Sequence, residues 1–267
     1  VTRAHVLAVA QREFATVFRT RLLVVLSVGF VGLIAGVAWL GASPAYLALS
    51  FDLLTPLEAL VPVLAFAFGY RALLGDRERG ELARLRTYPL DHRLYVLGVY
   101  LGRAVGLLGV VLVGLSTAAL VVPLTGTESL TAVAIYGTVD SPALFLRFLI
   151  LTAVFALVAL ALALLVSAAV RSTWNGLALA TGAVLALVVG LDGALVGTVT
   201  ATLPAPDVTA TLLALSPTSA YRSLAFALVF APGGVTVSGG STAVIGALAL
   251  GSWFVGSLAL TGVLVRR

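Results

Sequence analysis

Six apolar runs constrain this chain more than any other feature. They lie at about Leu22–Leu40, Pro56–Leu74, Tyr95–Val122, Ala143–Val170, Trp174–Leu191 and Ala243–Val265. At 1.5 Å per residue the shortest covers about 27 Å and the longest about 42 Å, against a bilayer hydrocarbon core of about 30 Å. Backbone groups in hydrocarbon must be satisfied within the segment itself, so helices are the structure such runs adopt. The expected fold class is therefore all-α, a polytopic membrane protein with six transmembrane helices. Composition agrees: 61% of residues are hydrophobic and 10% charged, where soluble domains carry about 25% charged residues. No internal repeat and no linker long enough to part soluble domains interrupts the pattern, so residues 1–267 read as a single transmembrane domain.

Charge placement orients the spans. Arg3, Arg12, Arg19 and Arg21 precede the first run. Arg71, Arg77, Arg79, Arg84, Arg86, Arg93 and Arg103 surround the second connection, Arg171 lies in the fourth, and Arg266 and Arg267 end the sequence. If the spans alternate, all of these share one side. The opposite side receives Arg147 and Arg222, with the acids Asp52, Glu58, Glu128, Asp140, Asp192 and Asp207. Arginine is retained on the cytoplasmic side, which predicts a multi-pass protein of the cell membrane with both termini cytoplasmic. The net charge of +5 then reflects topology and gives no reason to expect a nucleic-acid partner. The first twenty residues lack the compact apolar core of a cleavable signal peptide.

Several chemistries are excluded by residue type. Every basic residue is Arg, so the chain has no GxxxxGK[ST] phosphate loop and any nucleotide energy must come from another polypeptide. Cysteine and methionine are absent, which removes disulfides, thiolate sites and soft ligands for copper. There is no Gly-x-Ser-x-Gly elbow and no His-Glu-x-x-His, and the only histidines, His5 and His92, fall on the cytoplasmic side. The chain is thus expected to be no enzyme, with no catalytic, cofactor or metal site of its own.

Charge is concentrated in "GDRERGELARLRTYPLDHRLYVLG", from Gly75 to Gly98. Leu82, Leu85 and Tyr88 recur every three residues, Glu81 and Arg84 pair at i, i+3, Gly80 loosens the helix and Pro89 ends it. Orientation alone needs two or three arginines, yet this loop also carries acids. A mixed-charge helix with an apolar stripe, carried on two spans, suits docking of a cytoplasmic partner. Residues 75–94 are therefore the candidate coupling segment, between spans two and three. Residues 1–21 form a second amphipathic stretch: Val6, Val9, Ala10, Phe14, Val17 and Phe18 recur at helical spacing while Arg12, Glu13 and Arg19 fall elsewhere. Such a helix would lie on the inner surface with its arginines near anionic headgroups.

Leu73–Gly106 resembles the loop between spans two and three of ABC-2 type transporter permeases. Glu78, Gly80, Leu82, Leu85, Pro89, Arg93 and Gly98 fit that family's pattern, while the usual Gly-Lys is replaced by "GVYLGR" with the basic residue displaced to Arg103. "AQREFATVFRTRLL" (Ala10–Leu23) is similar to the family's amphipathic N-terminal helix. "LSPTSAYRSL" (Leu215–Leu224) and "SAAVRSTWNG" (Ser167–Gly176) resemble the permease subgroup of the nitrous-oxide-reductase maturation transporter, with Ser216 and Ser219 standing where that pattern has Asn and Asp. The resemblance implies a membrane permease subunit, working as a homodimer with two cytoplasmic ABC ATPase subunits that hold ATP and Mg. It also implies that Arg77, Arg79, Arg84 and Arg86 contact acidic ATPase surface and that Leu82 and Leu85 anchor the contact. Glu78 and Glu81 would join it or brace the N-terminal helix through Arg12 or Arg19. The alternatives are a secondary transporter working without an ATPase, and a membrane anchor for a cytoplasmic enzyme. The first would need ionisable residues or broken helices at mid-membrane, and the sequence places neither there.

Gly98, Gly102 and Gly106 are spaced by four and leave one face of span three bare for helix packing, as Gly32 and Gly36 do in span one. Residues 198–242 read as an outer loop with surface or re-entrant helices, because Leu212–Phe230 contains Pro217 and Arg222; a seventh span is the alternative. Asp192 reads as a solvated residue of an outer turn, or alternatively as a functional carboxylate at the outer edge of span five. Arg147 is expected to pair with Asp140 or to snorkel. The lack of an evident charged cavity favours a hydrophobic cargo.

Overall fold

The computed structural model describes residues 2–42, 45–80, 92–125, 140–190, 216–235 and 240–266, and every regular element among them is helical. α1 (Thr2–Arg19) is followed by α2 (Arg21–Gly41). A bend separates α3 (Tyr46–Gly69) from the short α4 (Ala72–Glu78). Then come α5 (His92–Thr125), α6 (Pro142–Ala169), α7 (Thr173–Leu185), α8 (Pro217–Ala225) and α9 (Gly240–Arg266). α7 and α8 each run on into a π-helical turn, Ala186–Gly190 and Phe226–Phe230.

Among the described residues, five stretches are long and apolar enough to cross a membrane: Arg21–Gly41, Tyr46–Glu78, His92–Leu124, Pro142–Ala169 and Ala243–Arg266. The expected fifth span corresponds to α7, whose apolar helix Thr173–Val188 is shorter. Leu191 and Asp192 lie outside the described residues.

The second span departs most from expectation. A start at Pro56 follows from the aversion of proline to helix interiors. The helix instead begins ten residues earlier, at Tyr46, with Pro56 and Pro62 both inside it. Its first turn is held from a distance: Asp140 accepts from the Tyr46 N–H at 3.2 Å and the Leu47 N–H at 2.9 Å. Asp140 is thereby committed to α3, and Arg147 donates to the Leu228 carbonyl at 3.4 Å. Of the two expectations for Arg147, the pair with Asp140 is replaced by these backbone contacts. The other end of α3 closes against α6, where a Cβ on Gly69 would lie 2.5 Å from that of Ala163. After the bend, Ser167 of α6 accepts from the N–H groups of Leu73 and Leu74 at 3.0 and 3.1 Å, satisfying the opening turn of α4.

α5 and α6 form the centre. α1 and α2 pack on α5, α3 and α9 pack on α6, and α8 lies between α6 and α9. Packing places the two chain ends with α4: α1 runs along the first turns of α5, and a Cβ on Gly262 near the end of α9 would lie 3.7 Å from Cγ of Arg93. This end of the bundle is called the α4 end, and its opposite the Tyr46 end.

Of the surface or re-entrant helices expected over 198–242, the described α8 packs into the bundle against α6 and α9. Ala220, Tyr221, Ala225, Val229 and Phe230 are fully buried. Phe51 of α3 meets Phe226 and Phe230 at ring distances of 6.0 and 4.9 Å, while Glu58, further along α3, meets Arg222. The two helices are therefore antiparallel. α8 starts inside the bundle, where Thr218 donates to the Leu187 carbonyl at 3.0 Å, and rises towards the Tyr46 end.

Candidate functional site

Two clusters of charge are built into the bundle, one at the α4 end and one within it. The first joins four helices. Asp76 of α4 is fully buried and accepts from Arg12 of α1 at 3.1 Å, from Arg79 at 2.5 Å and from the Tyr95 hydroxyl of α5. Arg12 also reaches Glu13 at 3.0 Å. Glu13 in turn accepts from Nε and Nη2 of Arg103 on α5, both at 3.0 Å. Arg103 donates through Nη1 to the Phe68 carbonyl in the last turn of α3. The chain Asp76–Arg12–Glu13–Arg103–Phe68 thus ties α4, α1, α5 and α3 together, with buried carboxylates balanced by charge-assisted hydrogen bonds.

The rest of α4 is held by α6 and its exit. Arg77 donates to the carbonyls of Ala168 and Val170 at 3.1 and 2.7 Å, the carbonyls left over at the end of α6. Glu78 accepts from Thr173 at 2.6 Å, with Arg71 3.9 Å away. Gly80 adopts φ 71°, the left-handed conformation that ends α4 and that glycine accommodates without strain. Of the sequence candidates, the structure therefore brings Arg77, Glu78 and Arg79 into contacts within the chain. Glu81, Leu82, Arg84, Leu85 and Arg86 lie outside the described residues. Arg12, a candidate brace for Glu78 or Glu81, is brought to Asp76.

α1 lies differently from the expected surface helix. Glu13 is 3% exposed and faces α5. Leu7, Phe14 and Phe18 are on the open side, with Phe14 and Phe18 edge to face at 4.9 Å. The approach is set by glycine. A Cβ on Gly98 would come 2.9 Å from that of Val9, one on Gly102 would overlap the Ala10 carbonyl oxygen, and one on Gly106 would lie 3.3 Å from Val17. The bare stripe of span three is turned to α1. At Gly32 and Gly36 nothing lies within 4 Å.

The second cluster is the Glu58–Arg222 pair. Nε of Arg222 donates to Oε1 of Glu58 at 2.7 Å and Nη2 to Oε2, a two-pronged contact that fits the planar guanidinium to the carboxylate. The carboxylate side chain is 7% exposed and the arginine 48%. Glu58 stands twelve residues after Tyr46 and ten before Phe68, about 18 and 15 Å along α3. Next to it Tyr221 stacks on Phe155 at 4.6 Å and shares a 2.9 Å hydrogen bond with Thr152 of α6. The expectation of spans without internal ionisable groups is corrected to this extent: Glu58 lies inside α3 and pairs with Arg222. Starting the span at Pro56 puts Glu58 at its edge; the ten extra residues of helix place it well inside α3. A lone carboxylate inside an apolar run was the available signal.

Residues 7–264 match the model of the ABC-2 family transporter protein. A protein from Pseudomonas aeruginosa named "Probable ABC transporter permease protein NosY" is 32% identical over 287 aligned positions, covering 97% of each chain. One of the same name from Stutzerimonas stutzeri is 30% identical over 258, covering 91% of this chain and 86% of the other. With a family match over nearly its whole length and several helices long and apolar enough to cross a membrane, this chain belongs to the ABC-2 family as the non-catalytic membrane permease subunit of an ABC transporter.

Proposed function

We propose that the permease is moved by a cytoplasmic ATPase seated on residues 75–94, and that α4 carries the motion into α1, α3, α5 and α6 together. The observation that carries this reading is the buried position of Asp76, held by α1 and α5 while Arg77 beside it grips the end of α6. A push that reaches α4 through Gly80 is then passed to the helices that hold it. Leu82 and Leu85 anchor the ATPase, Arg84 and Arg86 face its acidic surface with Glu81 beside them, and Arg77, Glu78 and Arg79 position the segment from within. ATP and Mg stay with the ATPase. The α4 end faces the cytoplasm, in keeping with the arginine excess there, and α7 supplies the fifth of six crossings. A self-powered transporter would also use an ion pair inside the bundle, but family membership supports an ATP-driven permease.

Leu85→Asp, or deletion of Arg84–Arg86, is expected to abolish co-purification with the ATPase while membrane insertion persists. An unchanged pull-down would remove the coupling role from this segment.

The working unit is a homodimer with two ATPase subunits. The Gly29, Gly32 and Gly36 face of α2 supports this, since among the described residues nothing lies within 4 Å of a Cβ placed there and bare helix faces favour close approach in lipid. Gly32→Phe is expected to convert two-copy particles to single copies by native mass spectrometry in detergent. If two copies persist, the contact lies on another face.

A further inference from the structure

Two adjacent residues of α8 grip two different helices. The Tyr221 hydroxyl shares its 2.9 Å hydrogen bond with Thr152 of α6, while Nε of Arg222 donates at 2.7 Å to Glu58 of α3 and Nη2 completes the fork. α8 has nine residues, and helices shorter than about 12–15 residues are marginal by themselves. Its place is therefore set by what it touches. Its backbone packs on α6 and α9, where a Cβ on Gly246 of α9 would lie 3.1 Å from the Ala220 carbonyl oxygen. α3 is met by side chains that reach across, Phe51 to Phe226 and Phe230 and Glu58 to Arg222.

These two kinds of contact to α3 differ in what they specify. Rings slide over one another at small cost. A planar guanidinium meets both oxygens of a carboxylate in one orientation, and a slip of one residue turns the side chains of α8 by about 100°. Stability is a poor reason for keeping such a pair. Replacing a buried ion pair by apolar residues of similar volume is often neutral or stabilising, and the best-attested use of a retained pair is to fix register. α3 also carries the contact that ties it to the α4-end cluster, the Phe68 carbonyl held by Arg103. The two contacts are ten residues apart, about 15 Å along one helix.

We propose that Glu58 and Arg222 are positioning residues of the transport cycle: their pair holds α8 in one register on α3, so that a displacement of α3 begun at the α4 end is passed to α8. The fork geometry does this, and a point charge does not replace it. The inference rests on the permease reading above.

The chain has no cysteine, so spin labels go only where cysteines are introduced. Leu40→Cys at the end of α2 serves as reference, paired with Val63→Cys to report α3 or with Ala231→Cys to report the exit of α8; all three positions are exposed. Both distances are measured in the transporter assembled with its ATPase in nanodiscs, without nucleotide and after trapping with ATP and vanadate. In otherwise unsubstituted protein both distances are expected to shift on trapping. Arg222→Lys, and the double variant Glu58→Leu with Arg222→Met, are expected to keep the Val63 shift and lose at least half of the Ala231 shift. Thermal unfolding of the double variant is expected to be unchanged or raised. A pair kept for stability alone gives the reverse, a lowered unfolding temperature with the Ala231 shift intact, and overturns the proposal. A full Ala231 shift in both variants overturns it too, as does the absence of that shift before any pair substitution. Should the double variant fail to fold, Arg222→Lys decides by its Ala231 shift. ATPase co-purification is followed on the same samples: its retention with an unmoved α8 sinks the positioning role and leaves the permease reading standing. Loss of co-purification in the unsubstituted protein sinks that reading instead.

Discussion

Glu13→Ala is expected to destabilise the protein by about 3–5 kcal/mol, more than removal of any other single charge in the α4 cluster. The reason is what remains behind. Glu13 is the carboxylate to which Arg103 gives two of its donors, and the Arg103 side chain is only 9% exposed. Without Glu13 a guanidinium is left inside the α1–α5 contact, where water cannot replace the carboxylate. Asp76 is equally buried, but two of its donors, Arg12 and Arg79, are 46% and 62% exposed. After Asp76→Ala those arginines can hydrate, and the expected stability loss is smaller. Thermal unfolding in detergent should order the variants accordingly. The double variant Glu13→Leu with Arg103→Met should recover most of the loss, because removing both charges avoids the stranded one. If Glu13→Ala alone unfolds at the temperature of the unsubstituted protein, Arg103 has another counter-charge and the described cluster is not what holds α1.

This contrast also shows where the sequence was legible. The helices over Leu22–Leu40, Tyr95–Val122, Ala143–Val170 and Ala243–Val265 could be read from composition alone, because crossing hydrocarbon imposes length and apolarity on each segment separately. The amphipathic character of α1 was likewise visible, since periodicity is local. Which side of α1 faces protein was not. Glu13 looks like a surface residue until Arg103, ninety positions away, is placed beside it. The same holds for Asp76, whose partners come from α1 and α5, and for Arg77, whose acceptors are two carbonyls at the end of α6. At Glu58 the difficulty was a boundary. Proline marked a start that Asp140, from the far side of an intervening span, moves to Tyr46. Long-range pairings of this kind decide the functional geometry, and no pattern confined to one segment encodes them.

Gly102→Ala should release α1 from α5, even though alanine is normally the better helix former by about 0.5–1 kcal/mol. The added methyl would overlap the Ala10 carbonyl oxygen and come 3.0 Å from its carbonyl carbon, with Cβ of Glu13 at 2.7 Å. Two of these are backbone atoms, which cannot swing aside as a side chain does. α1 must move bodily, and Glu13 and Arg12 move with it. Gly109, on the same helix, has nothing within 4 Å, so Gly109→Ala should be neutral or slightly stabilising and serves as the matched control. Distances between spin labels on α1 and α5 measure the displacement: a broadened or lengthened distribution is expected for Gly102→Ala and an unchanged one for Gly109→Ala. Function should separate in the same way. Because the segment after Gly80 is untouched, the ATPase should still co-purify with Gly102→Ala. Its hydrolysis should no longer drive the spans, because the Arg12–Asp76 and Glu13–Arg103 contacts are broken together. Full transport in Gly102→Ala, with α1 shown to be displaced, would mean that motion passes from α4 into α5 and α6 without α1.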